Sequence, residues 1–133
     1  MDALQALLSA ENAAIFAFGA LGPHLTGGQL TSAHSAFDLH RNQRDVLTDA
    51  IAARGAAPQA AEASYRLPFA VGDAASACRL AALVETRLTA VCAEAVSAAS
   101  GDCRAFAAWA LTQAALRAQA WGTPIAAFPG LST

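Results

Sequence analysis

Residues 55–73 read GAAPQAAEASYRLPFAVGD, and their reading decides how the helices on either side of them run. Two prolines and two glycines break any helical period here, leaving room for one turn of helix around Gln59 to Ala63. On either side the pattern is helical. A helix from about Leu30 to Arg54 precedes the stretch and is closed by Gly55; another follows from Asp73, a capping residue, to about Ser100. A helix of about 24 residues is roughly 36 Å long, while about 18 extended residues reach roughly 60 Å. The link can therefore travel back along the whole bundle, which makes the second and third helices parallel. Tyr65, Leu67 and Phe69 are expected to lie over the bundle as apolar cover.

Outward from this link, the helix before it reads LTSAHSAFDLHRNQRDVLTDAI over residues 30–51. At alternating steps of three and four, Leu30, Ala33, Phe37, His40, Arg44, Leu47 and Ile51 share one face, the spacing of a seam packed on partner helices. His40 and Arg44 interrupt that seam, and groups of this kind are costly to bury unless paired and hydrogen-bonded.

The first helix is expected from Asp2, capped together with Gln5, to about Leu21, where Gly22 and Pro23 end it. Its seam is Leu4, Leu8, Glu11, Ile15 and Phe18, again with one charge near the middle. The turn from Gly22 to Gln29 is short, so helices 1 and 2 should be antiparallel; His24 is a loop residue. Helix 3 has a seam of Cys78, Ala81, Glu85, Leu88, Cys92 and Ala95 beside Val84 and Val91. Gly101 and Asp102 turn the chain into helix 4, from about Cys103 to Trp121, with Phe106, Trp109, Gln113, Arg117 and Ala120 as its seam. Ile125, Phe128 and Leu131 of the tail are expected to pack on the outside of the bundle.

Composition narrows the class. The chain has 133 residues, enough for one domain over 1–133; 56% are hydrophobic and only 14% charged, and alanine is the commonest type. Close-packed helices follow, with bland surface suited to a homodimer. All eight basic residues are arginine, scattered against ten carboxylates at a net charge of −2, with two Trp and one Tyr, which disfavours nucleic-acid binding. Cys78 and Cys92 lie on one helix roughly 21 Å apart at 1.5 Å rise per residue, too far to bridge, so the three cysteines are read as reduced core thiols of a cytoplasmic protein. The start, Met-Asp, lacks a basic leader region, and charges interrupt the apolar runs, so neither secretion nor membrane insertion is expected. No phosphate loop or nucleophile elbow is visible, and no catalytic residue or cofactor is assigned.

Four helices joined short, long, short form an all-α four-helix bundle with one long crossover between helices 2 and 3. Glu11, His40, Glu85 and Gln113 each fall near the middle of their helices, so matched lengths bring them to one level, with Arg44 and Arg117 one turn away. These six residues are the expected buried polar core.

The chain resembles the ferritin-like superfamily, in particular an alanine-rich bacterial branch of unknown function, over nearly its full length. The resemblance rests on the helix pattern and on AENAAIFAFG around Glu11, HRNQRD at His40 to Asp45, ALVE ending at Glu85, and the AFPGL tail. It implies a ferritin-like bundle. Members with a di-iron centre supply Glu, Glu-x-x-His, Glu and Glu-x-x-His from their four helices. Glu11, His40 and Glu85 match three of those six ligands; Phe37 stands where helix 2 should supply its Glu, and helix 4 has neither Glu nor His. No metal is therefore expected. Arg44 and Arg117 would balance Glu11 and Glu85, with His40 and Gln113 bridging. The expected function is an interaction or small-ligand-binding module, the ligand unspecified. The alternatives are an iron or manganese oxidoreductase or iron-handling protein using Glu11, His40 and Glu85, and metal-independent acid–base chemistry with Glu85 or His40 as base.

Overall fold

In the computed structural model, which describes residues 1–124 and 128–131, four helices carry the fold: α1 (Asp2–Leu21), α2 (Gly27–Ala53), α3 (Ala74–Ala98) and α4 (Gly101–Ala120). A 3-10 turn, Gly22–His24, links the first two, and no strand occurs among the described residues. α1 packs on α2 and on α3, and α3 packs on α4, whereas α2 and α4 stand further apart. Two apolar clusters lie above and below the middle. One gathers Leu4, Leu7, Leu8, Leu47, Ile51 and Leu88, the other Phe18, Leu21, Leu25, Ala33 and Leu80.

Residues 55–73 hold the topology by running alongside α1. Gln5 Nε2 donates to the Ala57 carbonyl, Gln59 N donates to Gln5 Oε1, and Ser9 Oγ donates to the Gln59 side chain. About two turns further on, Phe16 meets the Tyr65 ring at 5.5 Å, and Leu67, Phe69 and Val71 close over the lower cluster. The link thus covers the bundle, extended throughout; the helical turn expected at Gln59 to Ala63 does not form. α3 starts beside the end of α1 and runs parallel to α2.

Caps follow the sequence closely at one helix and not at another. Asp73 accepts from Ser76 N at 2.8 Å while Ser76 Oγ accepts from Asp73 N, a reciprocal capping box at the start of α3. Asp2, by contrast, lies inside α1; Met1 is its N-cap, and Gln5 is taken by the link instead of by a cap. α2 begins three residues before the expected Leu30, and Gly55, at φ +77°, ends it in the left-handed region that favours glycine. α4 begins at Gly101, so the turn is Ala99 and Ser100.

α4 corrects the expected seam. Its buried ridge is Ala107, Ala110, Ala114 and Ala118, while Trp109 is half exposed and Phe106 and Gln113 lie on its flank. Alanines spaced three and four apart let α4 approach α3 closely, and the bulky residues are turned aside because there is no room for them. The tail is corrected as well. Phe128 and Leu131 are 73% and 62% exposed, while Gly130, at φ +85°, lies so close to the Thr89 carbonyl of α3 that a Cβ would sit 2.3 Å from its oxygen. Ile125 lies outside the described residues.

Residues 2–24 are long and apolar enough, by length and composition, to cross a membrane, despite the charges expected to prevent it; half of that stretch is buried inside the bundle. α1 has the composition of a core helix because it is one: it packs on both α2 and α3 and carries a buried glutamate at its middle.

Candidate functional site

Between the two apolar clusters lies a chain of polar side chains crossing the bundle. His40, 0% exposed, stands between two carboxylates: its Nδ1 is 2.6 Å from Glu11 Oε2 and its Nε2 is 2.7 Å from Glu85 Oε1. Arg117 Nε donates to the other oxygen of Glu85 at 3.0 Å. Glu11 is 1% exposed and Glu85 0%. Each helix contributes one member: Glu11, His40 and Glu85 come from near the middle of theirs, whereas α4 contributes Arg117 from its last turn in place of the expected Gln113.

Hydrogen-bond chemistry and burial both bear on the protonation of His40. A neutral imidazole has one donor nitrogen and one lone pair, and a lone pair facing a carboxylate oxygen repels it; an imidazolium donates from both sides. Burial acts to lower the His40 pKa, but the hydrogen bonds to Glu11 and Glu85 outweigh it and hold the ring up to about 9. Burial raises the Glu11 carboxyl, opposed by His40. His40 and Arg117 thus bring two cationic groups opposite the carboxyl groups of Glu11 and Glu85. Phe18 lies against the His40 ring, centroids 5.4 Å apart, and keeps water from that face.

Arg44 and Gln113 do not join. Arg44 pairs with its neighbour Asp45 and keeps a third of its side chain in solvent, and Gln113 stands half-buried on the flank of α4. Gln43, 4% exposed, is buried in the place expected for Arg44. A seam continued from His40 can step by three as well as by four, so Gln43 was as legible as its neighbour; the step of four simply chose the charged residue. Phe37 packs near Gly19 in the lower apolar cluster, under Arg41, away from the carboxylates.

As a metal centre the arrangement has little to offer. Glu11, His40 and Glu85 are the residues able to ligate, but both ring nitrogens are spent on carboxylates and a guanidinium takes a third oxygen. No group of three such side chains is disposed to hold an ion among the described residues. All three cysteines are free thiols; Cys92, buried beside the chain, has its thiol pushed up to about 12 by burial and by Glu11, which leaves it inert.

Where α2 and α4 stand apart, a groove of about 540 Å³ opens, lined among others by Ser32, Ser35 and Leu39 of α2, Cys78 of α3, and Arg117 and Trp121. Arg117 belongs to both groove and core, so the groove meets the charged chain at its Arg117 end.

The chain resembles a conserved hypothetical protein, rv2844, from Mycobacterium tuberculosis, known from a crystal structure. The two are 34% identical over 90% of this chain and 92% of that one, with a TM-score of 0.86. Among curated proteins there is no match. The family model described as a domain of unknown function (DUF4439) matches residues 3–133, and the chain belongs to that family.

Proposed function

We propose that this protein is one ferritin-like bundle domain over residues 1–133, without a di-iron centre, whose Glu11–His40–Glu85–Arg117 chain is structural and whose activity is the binding of a small ligand in the α2–α4 groove. The observation carrying this reading is the position of Arg117, one guanidinium tied to Glu85 on its inner side and lining a 540 Å³ groove on its outer side. Volumes of this order suit small-molecule sites, which combine apolar walls with a few placed polar groups. Ligand-observed NMR with a library of small aromatic fragments tests it. Fragments should bind the wild type and not Ser35→Trp, which fills the groove from an exposed position; equal binding to both defeats the reading.

Metal chemistry is the second reading, favoured by one fact: two carboxylates and an imidazole converge within 2.7 Å. Glu11, His40 and Glu85 would hold the ion. The donor set fits poorly, since an ion would first have to displace a proton from His40 and then bear the nearby guanidinium. Elemental analysis of protein purified without chelator should find no stoichiometric iron, manganese or zinc. A ratio of about one ion per chain would reverse the ranking. Acid–base catalysis by His40 or Glu85 is disfavoured because neither has solvent-exposed surface through which a substrate could approach.

The reading extends to a cytoplasmic homodimer. Val46 on α2 and Trp109 and Leu116 on α4 are about half exposed, a set of apolar side chains that a second copy would cover. Light scattering on wild type and Trp109→Glu checks this: the variant should be monomeric where the wild type is dimeric.

A further inference from the structure

Residues 65–68 of the link roof a second cavity, of about 170 Å³, between α1 and α3. It lies across the bundle from the α2–α4 groove and shares no lining residue with it. Four alanines of α1 form one wall, Val84 and Val91 of α3 form the other, and Leu67 of the link lies above. Methyl groups are too short to fill the space that leucines fill in the core, so the trough between the two helices stays open under the link.

Two charged side chains line this cavity, Arg66 of the link and Arg87 of α3, both exposed, and no carboxylate lines it. Arg87 follows Val84 by three residues and precedes Val91 by four, so it shares their face of α3. The other six arginines are engaged. Arg44 pairs with Asp45 and Arg117 with Glu85, Arg54 and Arg104 donate to the Ala50 and Val96 carbonyls, and Arg41 and Arg79 lie over the rings of Phe37 and Phe69. Among the described residues, the guanidinium groups of Arg66 and Arg87 alone have no ion pair, hydrogen bond or ring beneath them. The two unengaged cations of a chain with net charge −2 thus line one apolar cavity.

The chemistry of the walls and of the two arginines defines what fits. A dry apolar space of about 150 Å³ takes a benzene ring, so this one suits an apolar body of about six or seven carbons. A guanidinium is a planar fork of donors that matches the two oxygens of a carboxylate, and two such forks without a counter-charge favour an anion. Apolar walls with a few placed polar groups are the usual make-up of a small-molecule site.

We propose that the cavity beneath the link binds a small apolar monocarboxylate, its hydrocarbon body between α1 and α3 and its carboxylate held by Arg66 and Arg87. The site is separate from the α2–α4 groove and stands whether or not that groove takes a ligand. Calorimetric titration of octanoate, 1-octanol and acetate into the full chain, into Arg66→Gln/Arg87→Gln and into Ser35→Trp tests it. Octanoate should bind at least about fivefold more tightly than 1-octanol, which has the body without the charge, and acetate, which has the charge without the body, should bind more weakly than either. The double variant should erase the preference for octanoate over 1-octanol; both arginines are exposed, so the fold does not depend on them, and an unchanged urea midpoint checks this. Ser35→Trp, which fills the other groove, should bind octanoate as the wild type does. The assignment is overturned if 1-octanol or acetate binds as well as octanoate, if the preference survives in the double variant, if no probe binds, or if Ser35→Trp abolishes octanoate binding, which would place the acid in the α2–α4 groove.

Discussion

The two sides of the bundle treat buried polarity in opposite ways. On the side where α1, α2 and α3 close together, His40 has both nitrogens paired and every charge has a counter-charge. On the side where α2 and α4 part, Gln43 is equally hidden from water and has no partner at all. Similar burial with unlike satisfaction separates a part whose polar groups are matched from a part whose polar groups are not. Arg117 belongs to both, with Nε paired and Nη2 free.

The strongest test of the contrast is to cut the closed side. Glu85→Ala leaves an imidazolium and a guanidinium buried without their shared carboxylate, and should cost about 3–5 kcal/mol by urea unfolding. A loss below about 1 kcal/mol would mean that water already reaches the chain.

Alkali should weaken the same side without mutation. Folded His40 holds its proton up to about 9, whereas an unfolded histidine releases it near 6.5, so its contribution is complete below pH 6.5 and is lost as pH rises through 9. The total is on the order of 3 kcal/mol. Glu11, raised by burial, also binds its proton more firmly when folded and shifts stability in the same direction. Thermal unfolding from pH 6 to 10 should show the decline, and His40→Gln should flatten it.

On the open side the sign should reverse. Gln43→Leu removes two unsatisfied atoms and should raise stability by about 1 kcal/mol in the absence of ligand. Destabilisation instead would mean that a bound water already satisfies the amide. The smallest effect belongs to Arg44→Ala, whose partner is an exposed neighbour, and should fall within about 0.5 kcal/mol of wild type.

How much of this was legible in the sequence varied with the kind of residue. The crossover was, because its length and its prolines and glycines allow only one route back along the bundle. Glu11, His40 and Glu85 were, because a charge flanked by apolar residues three and four positions away has nowhere else to go. α4 was not. Ala107, Ala110, Ala114 and Ala118 are small enough to form the ridge, yet Trp109 and Phe106 carry more hydropathy and drew the seam one position aside. Gln113 was misplaced with that seam, and Arg44 by choosing a step of four over a step of three. The groove could not be read at all, since a gap between helices leaves no mark in either one alone.

The order of the polar chain along the sequence has a consequence for how the protein assembles. Glu11 and His40 both belong to the first helical hairpin, and Glu85 and Arg117 both to the second, so each half can make its own pair early and locally. Within this chain only the His40 to Glu85 bond joins the halves, and it joins residues 45 apart in sequence. That bond is the polar link between the two hairpins, beside the apolar packing of α1 on α3, and because its donor is an ionisable ring its strength depends on the proton that His40 holds.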